Sequence, residues 1–167
     1  MRARSRTIAK SIAKSIANSH AMLPAGPAPA DEELAAYCPD LDQWPRSWMY
    51  EERDGSPGRQ MVECFKPFLR HLLSLGLSRK TLRQHRDNLW LLGGELIRAL
   101  HDAPRLRKRP MDHVVLAALD REGGPLISHG TSEDQQRSFD ATCRKFHRFL
   151  TDRGSPSAVR LWTCGQR

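Results

Sequence analysis

Apolar residues in the middle of the chain recur at helical spacing. Met61, Phe65, Phe68, Leu72 and Leu75 are separated by four, three, four and three residues. That is one face of an amphipathic helix, and it predicts a helix over 59–76. Leu82, Leu89, Leu92, Leu96 and Leu100 repeat the pattern over 78–100. Between the two, Gly76 suits the left-handed residue that ends a helix, and Ser78 suits the cap that starts one. A third helix is predicted from Asp112 to Arg121, with Val115, Leu116 and Leu119 inward and Gly123-Gly124-Pro125 as its stop. Ser132 and Gln135 have capping-box spacing. They open a last helix to about Asp152, with Phe139, Cys143, Phe146 and Phe149 or Leu150 on its apolar face and Gly154 and Pro156 beyond its end. Val114-Val115-Leu116 is the one β-leaning run, and its capped helical context outweighs it. The expected fold class is all-α, a bundle of four or five helices.

Two features interrupt this pattern. Pro67 lies inside the first core helix, where it removes a hydrogen bond and crowds the preceding turn at about 3 kcal/mol. The expectation is a kink, or a second helix starting at Pro67. Gly93-Gly94 weakens the second helix by about 1 kcal/mol per glycine relative to alanine. No strand or GxGxxG spacing accompanies the pair, so it reads as a packing notch for a crossing helix.

The flanking segments differ in kind. Residues 1–30 form a basic arm and a Pro/Ala linker. The near-repeat IAKS-IAKS-IANS sets Ile8, Ile12 and Ile16 four apart, with Lys10 and Lys14 on another side. Three readings stay open for it: a targeting or membrane-surface segment, a flexible arm on DNA phosphates, or an extension ahead of an initiator at Met22. Residues 31–58 are acidic and carry Trp44, Trp48, Met49 and Tyr50. They read as a cover packed on the core, with a protein-docking surface as the alternative. Asp31 is expected to cap a short turn over 32–37. Residues 59–155 are the helical domain, and 156–167 form a tail in which Leu161 and Trp162 are candidates to fold back.

Charge sharpens the picture. The net +8 is uneven: residues 1–30 hold five bases and no acids, 31–58 two bases and eight acids, 59–155 eighteen bases and eleven acids. The helical domain is therefore basic, as suits a polyanionic partner. The four cysteines have no zinc-site spacing, and Cys64 and Cys143 read as core residues, which makes a reduced, cytoplasmic setting the expectation. No apolar run of about 18 residues is present, so no membrane-spanning segment is expected.

No catalytic motif is evident. The seven histidines include no HExxH, there is no GxSxG or P-loop, and the carboxylates show no acid–base pairing. His85 and His147 read as surface or boundary residues. No metal or cofactor is implied. The candidate chemistry is binding. Arg79, Arg83 and Arg86 share one stripe of the second helix, with Lys80 beside them. Arg105, Arg107, Lys108 and Arg109 crowd the following loop. Arg137, Arg144 and Arg148 share a face of the last helix, with Lys145 alongside. Such groups bind phosphates with steep salt dependence, and arginine also reads guanine. Double-stranded DNA is the expected partner.

The run MVECFKPFLRHLLSLGLSRKTLRQHRDNLWLLGGEL resembles the N-terminal core-binding domain of tyrosine recombinases, the phage-type integrases. The family pattern opens with F-x-x-[YF]-L and continues with G-L-S-x-x-T-L-x-x-Y-x-x-x-L. Phe65, Phe68, Leu69, Gly76, Leu77, Ser78, Thr81, Leu82 and Leu89 match it, and His85 stands where tyrosine is common. FDATCRKFHRFL, at 139–150, is similar to that domain's last helix. The resemblance covers about 60–153. It implies a SAM-like helical domain that clamps one side of a duplex, with Lys80, Arg83, Arg86, Arg144 and Arg148 facing DNA. It also implies a separate catalytic domain as partner. These 167 residues leave no room for that domain, hold no H-x-x-R, and place Tyr37 and Tyr50 ahead of the helical core.

Two rivals remain at this point. LSRKTLRQHRDNL also resembles a response-regulator recognition helix, S-x-x-T-[LV]-x-x-H-R-x-x-[LI], which implies a helix-turn-helix regulator. The aromatic, acidic segment and the Ile-rich arm instead support a protein-interaction adaptor.

Overall fold

The structure is a computed structural model, and it describes residues 29–127 and 131–152. The chain divides after Glu32 into two units, and the fold below is that of the second. The arm repeat, the linker before Pro29 and the tail with Leu161, Trp162 and Cys164 lie outside the described residues. Six α-helices and three 3-10 turns account for the architecture, and no strand occurs among the described residues. The helices are α1 (Pro29–Tyr37), α2 (Trp44–Ser47), α3 (Gly55–Ser74), α4 (Arg79–Asp102), α5 (Met111–Ala117) and α6 (Glu133–Asp152). The 3-10 turns are Leu41–Gln43, Glu52–Asp54 and Pro104–Lys108. The all-α expectation holds.

α3 is the hub. α2, α4 and α5 pack on it, and α6 packs on α4. Phe65 and Phe68 of α3 meet Phe146 of α6, edge-on at 5.7 Å and stacked at 4.7 Å between ring centroids. These rings and Met61, Leu69, Leu72, Leu92, Ile97 and Phe139 are fully enclosed. Cys38, Cys64 and Cys143 are buried free thiols. Burial pushes each of them up to about 12, so none is a ready nucleophile.

Several local expectations are corrected. α3 begins at Gly55, ahead of residue 59, because the 3-10 turn Glu52–Asp54 runs straight into it. Pro57 falls in its first turn, where the missing N–H has no intrahelical partner to lose. α3 also passes through Pro67 as one helix. Its buried face, continuous from Met61 to Leu72, holds it together across the missing hydrogen bond. α1 starts at Pro29, so Asp31 lies in its first turn instead of capping it. α5 is shorter than predicted and starts after Pro110. Asp120 ends that region by accepting the N–H groups of Glu122 (2.7 Å) and Gly123 (2.8 Å), a turn that competes with helix. Leu116, predicted inward, is exposed.

Other predictions are met. Gly76 has φ +63°, and Ser78 Oγ accepts the Thr81 N–H at 3.2 Å. Ser132 Oγ accepts the Gln135 N–H at 3.2 Å. Trp44 and Trp48 are buried, so the acidic segment is a cover on the core, although Met49 and Tyr50 remain exposed. The notch at Gly93 is real but is filled by a side chain, the Trp48 indole, and not by a crossing helix.

Candidate nucleic-acid interface

α4 and α6 cross through uncharged polar groups. Gln84 Nε2 donates to Ser138 Oγ at 2.6 Å, and Asn88 Nδ2 donates to Thr142 Oγ1 at 2.9 Å and to the Ser138 carbonyl at 3.0 Å. His85 Nδ1 lies 2.8 Å from Thr142 Oγ1, whose own hydrogen goes to the Ser138 carbonyl. The Thr142 oxygen therefore accepts, and neutral His85 carries its proton on Nδ1. His85, read from the sequence as a surface or boundary residue, is buried. Burial lowers its pKa first, and the nearby Lys145 ammonium adds to the effect. Sequence reasoning missed this network. Its signal was S-x-x-x-T in α6 opposite Q-H-x-x-N in α4, polar pairs on faces that are otherwise apolar.

The crossing places one of the predicted cations, Lys145, beside α4, where its ammonium acts on His85. Lys145 is three residues beyond Thr142 and seven beyond Ser138, on the side of α6 that meets α4. Arg148 follows one turn later and is exposed. Arg79, Lys80 and Arg83 stand exposed on the first turns of α4. None of these five cations makes an ion pair among the described residues.

The other predicted cations are placed differently. Arg86 is held by Asp87, with Nε and Nη2 at 3.0 and 2.8 Å from one carboxylate oxygen. Burial opposes its charge, but the Asp87 carboxylate outweighs that and raises its pKa. Arg137 pairs with Glu133 at 3.0 Å and Asp134 at 3.4 Å. Arg144 Nη1 donates to the Glu122 carbonyl at 2.8 Å and ties α6 to the α5–α6 connection.

Arg107 departs furthest from expectation. It is drawn inward and bonds Asp54 Oδ1 at 2.6 Å. Asp54 has no exposed surface, and it also meets His101 Nε2 at 2.9 Å and accepts the backbone N–H groups of Tyr50 and Glu51. Burial alone would raise its pKa. The Arg107 and His101 hydrogen bonds, with the two backbone donors, more than reverse this and hold the carboxyl well below the usual carboxylate range. Arg107 is thus a bolt between the acidic segment and the far end of α4.

Arg105 and Lys108 are exposed on the 3-10 turn after α4, and Arg109 is exposed just past its end. Nineteen residues of helix separate Arg83 from Asp102, roughly 28 Å at 1.5 Å per residue. The basic loop and the basic stripe occupy opposite ends of α4 and do not form one patch.

Among the described residues, no cluster of three or more His, Cys, Asp or Glu side chains is arranged to hold a metal ion. No helix there is long and apolar enough to cross a membrane. No protein-family model matches the chain, and comparison with curated proteins and with solved structures yields no match.

Proposed function

We propose that this chain is a non-catalytic module that binds double-stranded DNA through the α4–α6 crossing. One observation carries the reading: Arg79, Lys80 and Arg83 of α4 and Lys145 and Arg148 of α6 have no carboxylate partners among the described residues. Cations without partners release counterions when they meet phosphates, which drives binding without sequence choice. The resemblance to the core-binding domain of tyrosine recombinases supports the same reading, since the residues it implies as DNA-facing include Lys80, Arg83 and Arg148. In that reading, strand cleavage belongs to a catalytic domain outside these 167 residues. The helix-turn-helix alternative calls for a compact recognition helix, and α4 spans 24 residues.

The test is fluorescence anisotropy on a labelled mixed-sequence duplex. Arg83→Ala combined with Lys145→Ala is expected to weaken binding about tenfold or more at low salt. Arg105→Ala with Lys108→Ala and Arg109→Ala is expected to change it far less. The reverse ranking would move the interface to the other end of α4.

A further inference from the structure

A groove runs along α4 on the side turned away from α6. Its first part, a concavity of about 670 Å³, has Tyr37, Leu73 and Leu82 in its wall, with Arg79, Arg83 and Arg86 and the Glu33 carboxylate around it. Its second part, about 410 Å³, is lined by Asp40, Trp44, Asp87 and Trp90. Arg86 lines both, so the two parts adjoin at its side chain. Arg79, Arg83, Arg86 and Trp90 are spaced four, three and four residues apart, one stripe of a helix.

The groove is rigid where it matters. Trp90 is 41% exposed, yet its indole N–H donates to Ser47 Oγ at 3.0 Å, which fixes the plane of the ring. Asp40 is set by the Trp44 indole N–H at 3.1 Å. Asp87 fixes Arg86 through two hydrogen bonds. The groove is also polarised. One end offers the guanidinium groups of Arg79 and Arg83 beside the single carboxylate of Glu33; the other holds the part-exposed Trp90 indole with the carboxylates of Asp40 and Asp87.

That polarity selects its occupant. An acidic peptide would meet Asp40 and Asp87. The chain's own first 30 residues, with five bases and no acids, would meet three arginines. A nucleotide has an anionic end and a flat, neutral base that carries amino donors. Seven residues from Arg83 to Trp90 span roughly 10 Å of helix, the reach of one nucleotide. We propose that this groove binds an unpaired nucleotide, with its phosphate on Arg79, Arg83 and Arg86 and an amino-bearing base on Trp90 with Asp40 and Asp87 as acceptors. Base stacking on aromatic rings beside a cationic track is the general chemistry of unpaired nucleic acid recognition, and carboxylates accept from the cytosine amino group. The site shares Arg79 and Arg83 with the duplex-binding face but not Lys145 or Arg148.

The experiment titrates the full chain against labelled oligo(dC), oligo(dA) and oligo(dT) of equal length and against a duplex. Variants are Trp90→Ala, Trp90→Phe, and Lys145→Ala with Arg148→Ala. The wild type is expected to bind oligo(dC) and oligo(dA) more tightly than oligo(dT), whose base has no exocyclic amine. Trp90→Ala is expected to lose about tenfold on oligo(dC) while keeping its duplex affinity, and Trp90→Phe to stay near wild type. The Lys145/Arg148 variant is expected to do the opposite, so the two faces fail separately. Displacement of oligo(dC) by cytidine monophosphate would assign the groove to free nucleotides; no displacement would assign it to a strand; both sustain the proposal. It is overturned if the wild type does not bind oligo(dC), if Trp90→Ala leaves that binding unchanged, if Trp90→Ala and Trp90→Phe lose duplex and single strand alike, or if poly-glutamate occupies the groove in place of oligonucleotide.

Discussion

The Trp48 indole lies directly on the backbone of Gly93. A Cβ built on Gly93 would sit 2.2 Å from the ring carbon Cζ2, whereas one on Gly94 would sit 3.6 Å from Cδ1. Adjacent glycines therefore have opposite roles. Gly93 admits the ring that carries the acidic segment onto the core, and Gly94 has room for a methyl group.

Substitution should separate them. Gly93→Ala forces Trp48 out of its seat and is expected to destabilise the fold by about 1–3 kcal/mol, in the range of overpacked cores. Gly94→Ala makes an ordinary contact and gains helix propensity, with an expected stabilisation of up to about 1 kcal/mol. Urea unfolding followed by circular dichroism reads both. Equal effects would mean that the ring is not seated on Gly93.

His85 makes stability depend on pH in the mildly acidic range. Its folded pKa lies below the unfolded value of about 6.5. As pH falls through that value, the unfolded chain takes up the proton first. The stabilisation is therefore present above about pH 6.5 and is lost progressively below it. The melting temperature is expected to drop between pH 7.5 and pH 5, and His85→Gln is expected to flatten that drop. An unchanged slope in His85→Gln would place the titrating group elsewhere.

Asp54 acts in a lower window. Its folded pKa is depressed, so its contribution is present above the unfolded value of about 3.9 and lost as pH falls below it. Arg107→Ala leaves that buried carboxylate without its guanidinium partner and is expected to cost about 3–5 kcal/mol. Asp54→Asn with Arg107→Met removes both charges and is expected to recover part of the loss. Thermal melts of the three variants at pH 7 test this. If Arg107→Ala were as stable as the wild type but weaker on DNA, Arg107 would be a phosphate contact after all.

Much of this fold was legible in the sequence because it is written in local signals. The Phe65/Phe68 and Leu89/Leu92/Leu96 periodicities place α3 and α4, and Ser78 and Ser132 start helices where capping chemistry says they should. What escaped is long-range. Asp54 and Arg107 are 53 residues apart, and no local pattern tells an inward-turning arginine from its exposed neighbours Arg105 and Lys108. His85 likewise read as a surface or boundary residue because it sits among the bases of the stripe; only the Thr142 hydroxyl, 57 residues away, makes its burial tolerable. Pro67 reads as a kink or a fresh helix start because proline removes a backbone donor, and the packing of α3 carries the helix through it.

The salt dependence of duplex binding tests the central claim most directly. A labelled mixed-sequence duplex is titrated with the chain at a series of sodium chloride concentrations. Five phosphate-contacting cations predict that log K falls against log salt with a slope of about −4.5. A slope near zero, or no binding at the lowest salt, would contradict a role for the α4–α6 face in holding DNA.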